Sequence, residues 1–277
     1  MPQNQADLLF GSGSVATEFD EEENVFSAAL TLLYGENSSV FARVNSSFRF
    51  PLVDELVETV EIAPWTYRLQ FNSDLKPQTA THYELGVKQQ FSRILTGNLT
   101  LFRTDVDDEI LLDKITFPPF GSNVNYPETR HQGIEIGAEA ILNHYVTLRG
   151  NYTYTEATFE AAPFDGNDIP AVPNHKASAG ILVKDVFEGV LFNLDWTYVG
   201  KSYPISDFAN SFEKLDSYNV VGAKLSYGCH NIKGYVALNN IFNEAYSEYA
   251  VIGGSPIGRE FHPAPERNGA VGLDIMF

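Results

Sequence analysis

Few side chains in this sequence are arranged for bond-making chemistry. Its histidines, at 82, 131, 144, 175, 230 and 262, include no pair at the spacing of a helical metal site, so no fixed metal is expected. Glu18, Asp20, Glu21, Glu22 and Glu23 form an acidic run that could attract cations, but such runs are ordinarily solvated loops. Glu135 and Glu139 resemble a glycosidase dyad in residue type alone, with no sign of burial or of a split in their pKa values. Cys229, the only cysteine, falls in Gly228-Cys229-His230-Asn231, which reads as a turn and supplies no positioned base. Gly11 to Ser14 alternates Gly and Ser, yet no Lys-Ser/Thr follows, so it is no phosphate loop. His131 and His175 have hydroxyl-bearing neighbours, as a hydrolase would need, but nothing sets them apart. No catalytic residue, no cofactor and no enzyme activity are expected. Aromatic residues remain: Trp65, Tyr67, Phe117, Phe120, Tyr126, Phe164, Tyr203, Phe208, Phe212, Tyr246 and Tyr249 all lie between alternating segments. Such rings can stack on a planar ligand or pack loops against each other, and the sequence leaves both open.

The elements that would position these rings have a period of two. Phe26, Ala28, Leu30, Leu32 and Tyr34 alternate with smaller residues, turn at Gly35 to Ser38, and return through Val40, Ala42, Val44, Ser46 and Phe48, which is one hairpin. Tyr83, Leu85, Val87 and Phe91 begin the next, returning through Leu95, Gly97, Leu99 and Leu101. Ile134 to Leu142 pairs with Val146 to Tyr154, Ala177 to Phe187 with Val190 to Tyr198, and Leu215 to Tyr227 with Ile232 to Leu238. Val271, Leu273, Ile275 and Phe277 close the chain on an aromatic. This makes eleven strands of about nine to thirteen residues, longer than soluble strands and suited to a tilted bilayer crossing.

Two further patterns favour a membrane sheet over a soluble sandwich. Every second connection is tight, while the intervening ones, Arg49 to Thr79, Asp105 to Thr129, Phe159 to Asn174, Lys201 to Lys214 and Asn240 to Arg267, are long and fall on one side. Aromatics on the apolar face sort by height: Tyr34, Phe91, Phe187, Phe192, Tyr227 and Phe277 beside the short turns, and Phe48, Tyr152, Tyr154, Trp196 and Tyr198 near the long loops. Two girdles around an aliphatic band are expected at two membrane interfaces. The opposite face carries Glu84, Lys88, Glu135, Glu139, Arg149, Asn151, Lys184, Asn193, Asp195 and Lys224, which suits a hydrated lumen. Arg103 is the exception, sharing parity with Leu99 and Leu101. Either it reaches up to anionic headgroups, or the strand has already left the sheet there.

Composition excludes other classes. A net charge of −18 argues against a nucleic-acid binder, and no apolar run is long enough for a transmembrane helix. Met1 to Ser14 lacks the basic start and apolar stretch of a signal peptide, so Met1 is expected not to be the natural start.

Four strings in order resemble TonB-dependent outer-membrane receptors of the siderophore and cobalamin type. They are Ser47 to Leu56 (SFRFPLVDEL), Leu75 to Thr79 leading into Tyr83 to Lys88, Asn239 to Tyr246 (NNIFNEAY), and Pro256 to Phe261 ahead of the terminal strand. The resemblance covers residues 26–277, with 1–25 resembling an extracellular-loop segment. It implies an all-β fold: the C-terminal half of an antiparallel transmembrane barrel that in the family has ~22 strands. The energy-coupling box and plug domain are missing here, so a fragment that does not transport alone is expected. For the intact protein the resemblance implies uptake of an iron–siderophore chelate, haem or cobalamin, with Trp65, Tyr67, Phe117, Phe120, Tyr126, Tyr203, Phe208, Tyr246 and Tyr249 as candidate ligand contacts. Its implied partners are outer-membrane lipid and lipopolysaccharide, the TonB complex through the plug, and the barrel assembly machinery through Asn268–Phe277. Arg49 is expected to pair with lumen carboxylates. The competing readings are a passive porin or oligomeric pore, and a barrel enzyme.

Overall fold

A computed structural model describes residues 22–118, 120–254 and 256–275, and contains only strands, turns and loops among them. In chain order the strands are β1 (Ser27–Gly35), β2 (Ser38–Arg49), β3 (Val57–Ala63), β4 (Thr66–Phe71), β5 (Gln78–Gln90), β6 (Leu95–Asp113), β7 (Ser122–Ile141), β8 (Val146–Phe159), β9 (His175–Lys184), β10 (Val190–Val199), β11 (Tyr218–Cys229), β12 (Ile232–Asn239), β13 (Ser247–Gly253), β14 (Gly258–Pro263) and β15 (Asn268–Ile275). Eleven of them form one sheet in the order β1-β2-β5-β6-β7-β8-β9-β10-β11-β12-β15. Every pairing in it is antiparallel, so each strand hydrogen-bonds its neighbours in the order of the chain.

The expected eleven strands are all present, with two corrections to the loops. The segments 49–79 and 240–267 each contain a two-stranded hairpin, β3–β4 and β13–β14. Neither alternates cleanly enough to read as a strand pair: Glu58 and Glu61 interrupt β3, and Gly253 and Gly254 lie at the β13 turn. The second correction concerns 105–129, which is no free loop. β6 and β7 run on as a paired arm as far as Asp113 opposite Ser122. Leu215 lies before β11 and is buried among loops, because the strand begins at Tyr218.

The tight turns follow from local chemistry. Asn37 and His230 hold positive φ (52° and 53°), as two-residue hairpin turns require. At Gly189, with φ 78°, a Cβ would lie 2.0 Å from the Gly228 carbonyl oxygen, so only glycine fits between these hairpins.

The two faces of the sheet differ as the alternation requires. On one, Leu85 is 52% exposed and Val271 79%, with Leu30, Leu99, Ile136, Phe91, Phe187, Tyr152, Trp196 and Tyr227 also exposed. The Phe91 ring covers Gly97, whose added Cβ would meet it at 3.0 Å. Tyr34 stands exposed and bonds to Gln89, Tyr154 packs at a tilt against His175, and Tyr198 stacks on Trp196; Phe277 lies outside the described residues. On the other face, Arg43 pairs with Glu84, and Arg149 Nη2 donates to Asp195 at 2.7 Å. Lys224 Nζ sits 4.2 Å over the Tyr235 ring. Lys88, Asn98, Glu139, Arg149 and Asn151 line a polar recess of about 420 Å³ there.

Candidate functional site

The long connections assemble into a packed body at one end of the sheet. Tyr126 on the β7 arm, Ala157 and Phe159 at the end of β8, Ile169 and Phe208 form a buried cluster, with Phe164 packed against it. Tyr126 donates its hydroxyl to the Ala161 carbonyl at 2.6 Å and accepts from the Phe164 N–H at 3.2 Å. Its ring lies 4.3 Å from that of Phe159 and 6.4 Å from that of Phe208.

Polar links then fix the neighbouring loops. Asp207 is fully buried, and its carboxylate accepts from the backbone N–H groups of Ser211 and Phe212, both at 2.9 Å, and from the Ser211 hydroxyl at 3.1 Å. Ser206 Oγ donates to the Leu112 carbonyl of the β6 arm at 2.8 Å. Asn210 and Asp168 exchange two hydrogen bonds, and Lys214 Nζ reaches Asp168 at 2.9 Å. Ile205 forms a parallel bridge with Val251, tying in β13. Arg259 donates to the Glu213 carboxylate at 3.1 Å.

A second polar cluster lies where the β6–β7 arm leaves the sheet. Glu109 accepts from the Thr129 hydroxyl and lies 3.3 Å from His131 Nε2. Burial pushes the Glu109 carboxyl up, but His131, the Thr129 hydroxyl and Arg49 outweigh it and hold it below the usual glutamate range. Arg49 donates to both oxygens of Glu55 at 2.9 and 2.7 Å, a carboxylate of the connection after β2 and not one of the lumen carboxylates expected from the sequence. This is no nucleophile relay: hydroxyl and imidazole converge on one carboxylate instead of passing a proton along a chain. His82 lies between the hydroxyls of Ser47 and Thr104 with no carboxylate in the series. Among the described residues no cluster of His, Cys, Asp and Glu could hold a metal ion.

A recess lies where the polar face of β9, β10 and β11 meets the long connections. Lys176, Val199 and Tyr218 are register partners across β9, β10 and β11, on the opposite face from Trp196 and Val221. Above them Tyr246 stacks on Tyr218 at 4.2 Å, and Leu215, Asp216, Phe261 and Pro263 complete a recess of about 330 Å³. A second recess of about 150 Å³ shares Leu215, Asp216 and Tyr218 and adds Lys176 and Glu248. Burial, and then the Glu248 charge, raise the hydroxyl pKa of Tyr246. Asp216 is exposed, and its hydrogen bond from Lys201 holds it below the usual aspartate range.

The structure divides the loop aromatics. Tyr126 and Phe208 are each 5% exposed and belong to the packed cluster, so neither presents a ring face to a ligand. Tyr203 lies 4.5 Å under Lys214, and Tyr249 stacks on His262 at 4.4 Å. Tyr67 meets Phe120 edge-on at 5.1 Å beside exposed Phe117. Trp65, at the β3–β4 tip with φ 62°, is 88% exposed. Sequence reasoning missed Tyr218, Phe261 and Asp216. Tyr218 carried a usable signal, since its parity opposite Val221 already placed it on the polar face.

Comparison with known proteins follows the same lines. A family model described as "TonB dependent receptor-like, beta-barrel" matches residues 4–241. The "Ferrichrome outer membrane transporter/phage receptor" of Escherichia coli K12 is 32% identical over 184 residues, covering 61% of this chain and 23% of that protein. The "Iron-regulated outer membrane virulence protein" of Vibrio cholerae is 24% identical over 251 residues, covering 84% and 36%. The crystal structure of a ferric enterobactin receptor mutant from Pseudomonas aeruginosa superposes with a TM-score of 0.72 at 17% identity, over 91% of this chain and 40% of that one. The chain thus spans between about a quarter and two fifths of the length of these proteins.

Proposed function

This chain belongs to the TonB-dependent receptor-like β-barrel family, and from that premise we propose that it forms part of a receptor for energised uptake of an iron–siderophore chelate. Family membership makes it a β-barrel protein of the bacterial outer membrane. The strand sheet is accordingly part of a transmembrane barrel, with its apolar face toward lipid.

The observation that carries the capture reading is the aromatic recess under a tightly bonded outer body. Tyr218, Tyr246 and Phe261 give a stacking surface, Asp216, Glu248 and Lys176 give polar contacts, and the recess opens beside the polar face of the sheet. A scarce ligand needs a preformed site of this kind, since ordering loops on binding would cost affinity. Trp65, Tyr67, Phe117, Phe120, Tyr203 and Tyr249 then serve as outlying contacts. Residues 1–25 act as an extracellular segment and 26–277 as barrel. A plug outside this sequence engages the TonB complex, and Asn268–Phe277 addresses the assembly machinery. The iron-related names of the two relatives support the choice of cargo.

The experiment is uptake of a radiolabelled ferric chelate by iron-starved cells with and without the gene. Saturable uptake that stops when the proton-motive force is collapsed, and that weakens with Tyr246→Ala, is the expected result. Unsaturable flux indifferent to the proton-motive force would identify a passive pore and end the receptor reading.

A further inference from the structure

The recess on the polar face of β9, β10 and β11 has two chambers that share Leu215, Asp216, Tyr218 and Ser247. The larger, of about 330 Å³, is aromatic, with Tyr246 stacked on Tyr218 and Phe261 also in its lining. The smaller, of about 150 Å³, is polar and has Lys176 and Glu248 in its lining. Backbone bonds set its walls. The Gly200 N–H donates to the His175 carbonyl and the Leu215 N–H to the Ser202 carbonyl, both at 2.8 Å, and the Ala171 N–H donates to the Tyr203 carbonyl at 2.9 Å. A Cβ on Gly200 would press on the His175 carbonyl oxygen at 3.0 Å.

The charges that line these chambers are not all committed. Asp216 accepts from Lys201 Nζ at 2.8 Å, and in the neighbouring connections Lys214 reaches Asp168 at 2.9 Å and Arg259 reaches Glu213 at 3.1 Å. Lys176 and Glu248 take part in no ion pair among the described residues, with each other or with any neighbour, although both line the smaller chamber. Along its row of the sheet the first carboxylate from Lys176 is Glu135, beyond Thr153 and two strands away, about 10 Å off. The smaller chamber therefore holds one uncommitted cation and one uncommitted anion.

We propose that the smaller chamber selects chelates with a zwitterionic end, a free ammonium group and a carboxylate as on an amino acid, with Lys176 holding the carboxylate and Glu248 the ammonium. Size supports an end group. Drug-sized ligands occupy cavities of about 300–1,000 Å³, and a chelator that encloses iron is at least that large, so a chamber of about 150 Å³ leaves the iron centre outside. The larger chamber then covers the adjoining part of the chelate against Tyr246 and Phe261. Charge supports the zwitterion. The uncommitted lining groups sum to zero, so a multiply anionic tris-catecholate finds no surplus cation, whereas a zwitterionic end satisfies both Lys176 and Glu248 with charge-assisted hydrogen bonds. A site built for such an end rejects the blocked analogue, which leaves its polar groups unpaired. The proposal rests on the capture reading and adds to it a class of chelate and two specificity-determining residues.

The test is equilibrium binding of four ferric linear trihydroxamates to the purified full-length protein. The four differ only at one end, which is an amino acid, an amine, a carboxylate or an uncharged amide. The amino-acid end is expected to bind at least tenfold tighter than the uncharged amide, with the singly charged ends between them. Lys176→Met should abolish the gain from the carboxylate and keep that from the amine, and Glu248→Gln should do the reverse. Tyr246→Ala should weaken all four by a similar factor and leave their ranking intact, which separates selection of the end from stacking and from damage to the fold. Equal affinity for the four, or a uniform loss in Lys176→Met and Glu248→Gln, overturns the proposal and leaves the capture reading standing. Binding of none of the four overturns it as well, and the capture reading is then decided by the uptake experiment alone.

Discussion

The membrane sheet and the body above it solve opposite problems with the same kinds of residue. In the sheet the large apolar side chains are outside: Leu30, Leu85 and Val271 are exposed because lipid is their solvent. In the body they are inside: Phe159, Ile252, Tyr126 and Phe208 are buried because water is theirs. The sheet is held by its ladder of backbone hydrogen bonds, which lipid cannot replace. The body is held by a hydrophobic cluster and by single buried polar residues such as Asp207. One region therefore tolerates changes of apolar shape, and the other tolerates changes of surface charge.

The strongest way to break this contrast is Phe159→Ala. The ring is fully buried, and its removal should cost about 3–5 kcal/mol locally. Limited proteolysis of the membrane-embedded protein should then cut 159–174 and 201–214 while the strands stay protected; uniform protection would show that the body does not depend on this cluster. In the sheet the damaging change is charge: Leu99→Arg, near the middle of the apolar band, should cost about 2–4 kcal/mol, read as slower insertion and a lower unfolding midpoint in lipid. Leu99→Ile should be nearly silent there. Asp207→Ala strips three hydrogen bonds from a buried site and should cost about 1–3 kcal/mol, seen as faster amide exchange at Ser211 and Phe212.

Acid sharpens the contrast further. Because the folded Glu109 carboxyl titrates below its unfolded value of about 4.3, its contribution is complete above that pH and fades as pH falls through the lower, folded value. Glu109→Gln should flatten the acid limb of loop-body stability and leave neutral-pH melting of the sheet unchanged. The smallest effect belongs to Trp65→Ala, which should shift stability by no more than about 0.5 kcal/mol because the ring touches so little. A large loss of melting temperature would place Trp65 in the packing instead.

The sheet was legible in the sequence because a strand between lipid and a polar interior leaves a strict period of two, and the tight turns leave residues such as Asn37 and Gly189. The hairpins β3–β4 and β13–β14 were not legible, since neither lies between two different solvents and neither alternates. The candidate site was legible only in outline. Tyr126 and Tyr246 look alike as loop aromatics, yet one is sealed in a cluster and the other walls a recess. Arg103 was visible as an oddity of parity, but its partner Arg130 was not, because the two meet through Asp105 across a strand pair.

The alternation alone determined the eleven strands of the main sheet, their order of pairing, the face of each of their side chains and the end at which the long connections gather. These follow from local alternation and chain connectivity, which need no knowledge of distant residues. Only the tertiary structure decided which aromatics are packed and which are open, and that Asp207 organises a loop. Those outcomes depend on contacts between segments far apart in the chain, such as the Ser206 hydroxyl on the Leu112 carbonyl, for which no short-range pattern exists.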